Sequence, residues 1–174
     1  MNRFQLAKLV DWAGKLESRK RMQKVVFMLQ AAKCPLNVDF YLHRYGPYSS
    51  EVAGLTDQLV RDGILQETEI PDSNGNYKYA YQLTSHGKSA IENAVSSPSF
   101  SDQLSSFESL AKSLLGEPLR VIEVASTIVF YKRAALDWET AKNKAYLFKA
   151  VDADSTEASK AEDLARRVLA WTPV

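Results

Sequence analysis

Cysteine is almost missing from this chain of 174 residues: Cys34 is the single one, and it has no partner for an internal disulfide. Histidine is nearly as scarce. His43 and His86 alone cannot complete the four-ligand set of a structural zinc site, even with Cys34. No apolar run reaches the roughly 18 residues that span a bilayer. Met1 to Gly14 carries Asp11 and Trp12 where a secretory signal would hold its apolar stretch, so the expectation is a cytoplasmic chain without membrane insertion. Gly46 and Gly75 are isolated, which excludes phosphate-cradling loops of the GxGxxG or GxxxxGK type. Cys34 sits beside Pro35 with no identifiable base, and neither histidine neighbours a cysteine or paired carboxylates. A non-enzyme without cofactor is therefore expected. Internal repeats and low-complexity tracts are also lacking.

What is present is globular in proportion, with 45% apolar and 25% charged residues. The net charge of +1 hides a bipolar distribution. Residues 1 to 50 hold nine Lys or Arg against three Asp or Glu, and the remainder holds thirteen against eighteen. Much of the basic surplus is the run Arg19, Lys20, Arg21 and Lys24, which suits either phosphate contact or the solvated first turns of a helix.

Periodicity gives the elements. Asn2 caps a first helix that Gly14 ends, and Ser18 caps a second over about 19 to 33, stopped by Cys34-Pro35. Five consecutive apolar residues, Val25 to Leu29, put Phe27 and Met28 beyond a single stripe, so a second surface must cover them: the C-terminal half or a partner subunit. Val38 to Leu42 reads as extended, with a turn at Tyr45-Gly46-Pro47-Tyr48. Ser49 or Ser50 caps a third helix ending at Gly63. Ile64 to Ile70 and Tyr77 to Leu83 read as a hairpin in which Tyr77, Tyr79 and Tyr81 share one face, best explained as core packing, and a further helix follows through Val95.

The fold class expected is mainly α with a small β-hairpin: a winged helix-turn-helix over 1–95, a linker over 96–102, and a helical appendage of about four helices over 103–174 packing on the first domain. Within the appendage, Val121 to Phe130 is apolar around almost its whole circumference and should be its buried centre. Trp138, Ala141, Ala145 and Phe148 should face inward from the next helix, and Ala161, Leu164, Ala165 and Val168 from the last.

Leu59 to Leu65 and Tyr81 to Lys88 resemble the wing borders of bacterial winged-helix regulators. Arg21 to Leu29, taken with Phe40 to Ser50, resembles the paired segments that mark the YwgA family, and the likeness extends through the wing and more weakly through Ile122 to Tyr131. Related motifs occur in the Panacea domain of SocA-type antitoxins and in the C-terminal part of DarG antitoxins. The resemblance implies a winged-helix fold, and through those relatives a use in binding a toxin protein.

Two functions follow as expectations. As a DNA-binding regulator, the chain would offer Arg19, Lys20, Arg21 and Lys24 to phosphate, Ser49, Ser50, Gln58 and Arg61 to base edges, and Lys78 from the wing to duplex DNA. Against this, Ser49 to Gly63 carries a net charge of −2, and Ile64 to Thr84 carries −2 again. As a protein-binding, antitoxin-like module, it would use that acidic face, with Arg44, Tyr45 and Tyr48 suited to a partner side chain, a phosphate or a base, or simply to a locked turn. A homodimer is compatible with either.

Overall fold

The computed structural model describes residues 1–71, 75–96 and 104–172. Helix α1 (Arg3–Ala13) opens on a capping box: Asn2 Oδ1 accepts from the Gln5 amide at 2.9 Å and Gln5 Oε1 accepts from the Asn2 amide at 2.8 Å. Gly14, at φ +65°, ends it as expected. A two-residue strand, β1 (Leu16–Glu17), comes next and is too short to leave a periodic signal. Ser18 then caps α2 (Arg19–Ala31).

Every residue from Met22 to Leu29 of α2 is buried. The surface that covers its second face is the C-terminal half: the Phe27 ring lies 6.1 Å from Phe130 and 5.1 Å from Phe40. The segment after α2 differs from expectation. Strand β2 (Tyr41–His43) pairs antiparallel with β3 (Gly46–Tyr48), so the reversal falls at Arg44-Tyr45, and Gly46-Pro47 lies in a strand. Glycine is needed at 46 for two reasons: its φ is +93°, and a Cβ there would meet Thr127 Oγ1 at 2.9 Å.

Ser49 is the cap of α3 (Ser50–Arg61), and Gly63 follows it at φ +68°. Strands β4 (Leu65–Pro71) and β5 (Tyr77–Leu83) form the expected hairpin, which β1 extends to a three-stranded sheet in the order β1-β5-β4. The tyrosine face of β5 is graded and only partly packed. Tyr81 is fully buried, whereas Tyr77 is 69% exposed, because the strand runs outward from the core toward the hairpin tip. Thr84 caps α4 (Ser85–Val95), accepting from the Gly87 amide at 2.9 Å and donating to the Gly63 carbonyl at 2.6 Å, which fixes the start of α4 against the end of α3.

Most of the expected linker lies outside the described residues. Beyond it stand α5 (Glu108–Gly116), α6 (Leu119–Arg133), α7 (Trp138–Lys149) and α8 (Thr156–Leu169). Helix α6 is buried from Val121 through Val129 and packs against α2, α7 and α8, so one apolar cluster runs through both halves. The inward faces of α7 and α8 are those the spacing predicts, with one exception: Phe148 is partly exposed and its neighbour Leu147 is 86% exposed, since the last turn of α7 overhangs the core. The architecture is mainly α with a small antiparallel sheet, and the order of three helices followed by a hairpin is present. Among the described residues, no helix is long and apolar enough to cross a membrane.

Candidate functional site

The residues from Arg19 to Lys24 and from His43 to Ser49, distant in sequence, meet because α2 passes directly under the β2-β3 hairpin and the start of α3. Gln23 makes the junction. Its amide donates to the Ser49 carbonyl and accepts from the Ser49 N–H, both at 2.9 Å, pairing the backbone at the cap of α3 with one side chain of α2. Lys24, only 1% exposed, donates from Nζ to the Pro47 carbonyl at 2.7 Å. Burial pushes its pKa down to about 7, Lys149 adds to the effect, and Glu123 opposes it. Around the same point stand Thr127 and Lys149, whose side chains lie against the open face of Gly46. Glu123 on α6 is buried beside them, and its Oε1 has no hydrogen-bond partner.

The basic run is thus largely turned to internal use. Arg19 donates to the Tyr81 hydroxyl at 2.6 Å and to Glu67 at 2.7 Å, lies 3.7 Å from Asp57, and covers the Tyr79 ring at 4.6 Å. Burial would raise the Glu67 carboxyl, but hydrogen bonds from Tyr81 and Arg19 outweigh it and hold that carboxyl below its ordinary value. Arg21 reaches the carbonyls of Leu115 and Glu117 at 3.0 and 2.6 Å, at the C-terminal end of α5, where a cation is favoured. Lys20 stands apart. Its ammonium sits 4.2 Å over the Tyr45 ring and 3.8 Å from Glu123 Oε1.

The hairpin above is aromatic. Tyr41 packs edge-on against Tyr48 at 5.6 Å, and the His43 ring lies 5.7 Å from Tyr45 and 5.5 Å from Tyr48. Arg44 covers Tyr45 at 4.5 Å. Tyr41 and Tyr45 are 50% and 40% exposed. Between this hairpin, α2 and α3 lies a cleft of about 150 Å³, lined by Arg19, Lys20 and Lys24, by His43, Tyr45 and Tyr48, and by Met22, Gln23, Ala53, Thr56 and Asp57.

The remaining sequence-derived candidates fall outside it. Ser49 is buried as a helix cap, accepting from the Val52 amide. Ser50 and Arg61 are exposed at the two ends of α3, and Gln58 is half-buried between them. Lys78 is paired with Glu17 at 2.6 Å across the sheet. Asp57 and Asp62, two of the acids that make α3 negative, are paired with Arg19 and Arg3. Gln23, Thr127, Glu123, Lys149 and the Glu67–Tyr81 pair escape sequence reasoning. Only the adjacency of Gln23 to Lys24 on an otherwise apolar helix signals them, as polar groups that burial forces to find partners.

Among the described residues no three His, Cys, Asp or Glu gather as a metal site, and burial pushes the Cys34 thiol up to about 12, away from nucleophilic use. No family model matches the chain. It is similar to the uncharacterised protein YwgA of Bacillus subtilis (strain 168), with 27% identity over 145 residues that cover 83% of this chain and 81% of that protein, which supports a YwgA-like family for it.

Proposed function

We propose that the chain is a non-catalytic binding module that recognises a partner protein through the β2-β3 hairpin. The observation that carries this reading is the concentration of exposed tyrosine and arginine on a rigid support. Tyr41, Arg44 and Tyr45 are exposed on one short hairpin, with the half-buried Tyr48 packed beside them. Tyrosine and arginine are the side chains that most often anchor protein interfaces, because they bury large area at low entropy cost. The hairpin is held from below by the Lys24–Pro47 and Gln23–Ser49 hydrogen bonds, so binding need not order it first.

The commitment of the basic run bears on the other reading. Phosphate binding depends on cations free to release counterions, and Arg19, Arg21 and Lys24 are engaged with Glu67, backbone carbonyls and Pro47. Duplex DNA recognition keeps one specific support, the exposed Arg61 on α3.

The test is co-purification from the native host with the intact chain as bait, beside a Tyr41→Ala/Arg44→Ala/Tyr45→Ala variant. A stoichiometric protein retained by the first and lost with the second is the expected result. A partner retained equally by both, or none recovered while duplex DNA is bound, overturns the reading.

A further inference from the structure

The cleft beneath the hairpin holds about 150 Å³, a volume that in an apolar protein cavity takes about one benzene ring. Its walls are of two kinds. Met22, Ala53, Tyr45 and Tyr48 supply apolar and flat aromatic surface, and Lys20 and Lys24 supply positive charge. The single carboxylate in the lining, Asp57, is paired with Arg19.

The balance of charge is incomplete at one place. Lys24 donates to Pro47, and Arg19 is bound to Glu67. Lys20 has its nearest carboxylate oxygen, Glu123 Oε1, at 3.8 Å, beyond hydrogen-bond reach, and that oxygen has no hydrogen-bond partner of its own. Lys20, Lys24 and Lys149 therefore surround the hairpin base with Glu123 as the counter-charge among them. Lys20 is the lysine of the lining whose ammonium makes no hydrogen bond among the described residues, so an anion entering the cleft meets that ammonium while the rest of its body meets rings and a thioether.

We infer that the cleft is a binding site for a small planar aromatic carboxylate, with its ring against Tyr45, Tyr48 and Met22 and its carboxylate on the Lys20 ammonium. An aliphatic acid of the same charge forgoes the ring contacts, and a neutral aromatic forgoes a charge-assisted hydrogen bond from Lys20, whose distance to Glu123 is too long to supply one. This goes beyond partner recognition by the hairpin and stands on the cleft alone.

Benzoate is the probe, titrated into the isotope-labelled full chain and followed by amide chemical shifts, with benzamide and acetate as controls. Saturable shifts centred on Lys20, Tyr45 and Ala53 are expected with benzoate, and affinity about tenfold weaker or less for either control. Lys20→Met, at a side chain 45% exposed, should weaken benzoate by about tenfold and leave benzamide unchanged, with Lys20→Arg restoring it. Ala53→Phe should fill the cleft and abolish the shifts. The same spectra report whether each variant is folded, and the benzoate–benzamide comparison on the unaltered chain decides if a variant is not. Equal response to benzoate and benzamide, or no saturable shift with benzoate, overturns the proposal.

Discussion

Lys24 reaches across from α2 and donates to the carbonyl of Pro47 at 2.7 Å, with its ammonium almost wholly removed from water. A lysine in that position is protonated less readily in the folded chain, at about 7, than in the unfolded chain near 10.5. Between those values the unfolded state binds more protons, so stability rises with pH, and the contribution is absent only below the folded pKa, where both states are charged. Lys24→Met removes that titration. The difference in unfolding free energy between the chain and this variant should move by about 2 kcal/mol in favour of the unaltered chain from pH 7 to pH 9, read from urea midpoints. A pH-independent difference would show that Lys24 is charged throughout.

Gly46 faces Thr127 across the same junction. Alanine there would bring its Cβ to 2.9 Å from Thr127 Oγ1 while holding φ at +93°. Gly46→Ala should cost about 2 kcal/mol or more in thermal or urea unfolding. Adding Thr127→Ala removes the steric share and leaves the backbone share, so the double variant should lose less than the two single changes combined. Strict additivity would mean that the clash is relieved elsewhere.

The contrast between these residues and the helix ends explains what was legible in the sequence. Caps, glycine stops and the apolar stripes of α1, α3 and α8 are written in local spacing, and they lie where the spacing places them. Gly46-Pro47 looks like a turn locally, yet its glycine answers to Thr127 on α6, and no local pattern encodes a contact across about 80 residues. The basic run misleads in the same way. Its charges meet Glu67, Leu115, Glu117 and Pro47, all of them distant in sequence, and the cleft appears only when α2 and the hairpin are brought together.

Glu67 accepts from both Arg19 and Tyr81, at 2.7 and 2.5 Å, and its pKa is held down in the folded chain. A carboxyl of that kind stabilises above the unfolded value, near 4.5, and loses the contribution as pH falls through the folded value. Because Arg19 is half-exposed, the worth of the pair is discounted for solvent to about 1 kcal/mol. Glu67→Gln should be less stable than the unaltered chain by about that amount at pH 7, and the difference should shrink as pH falls below the unfolded value and through the lower folded one, as measured by urea unfolding along a pH series.

Gly87 and Gly14 separate two reasons for glycine. A Cβ on Gly87 would lie 2.2 Å from the Ile64 carbonyl oxygen, a backbone atom that cannot step aside, whereas a Cβ on Gly14 meets nothing within 4 Å. Gly14→Ala therefore carries only the penalty of its backbone, a γ-turn at φ +65° and ψ −58°, about 2 kcal/mol. Gly87→Ala should exceed it by about 2 kcal/mol or more, and should loosen amide protection where α4 meets β4, because α4 must withdraw from the end of α3. Equal losses for the two would show that α4 is not seated on Ile64.

Salt dependence tests how far the internal pairing of cations extends to nucleic acid. Of the two cations of α3 and the described part of the β4-β5 hairpin, Lys78 is tied to Glu17, and Arg61 stands outside any ion pair among the described residues. Adding Lys20 from α2 and Arg44 from the β2-β3 hairpin gives few phosphate contacts. Affinity for duplex DNA should then fall with salt along a log–log slope no steeper than about −3, against about −5 to −9 for proteins that neutralise six to ten phosphates. Mobility shifts from low to moderate salt measure that slope, and a Lys78→Gln variant should leave it unchanged. A steeper slope would require Arg19, Arg21 or Lys78 to leave their present partners for phosphate, and it would favour recognition of DNA over recognition of protein.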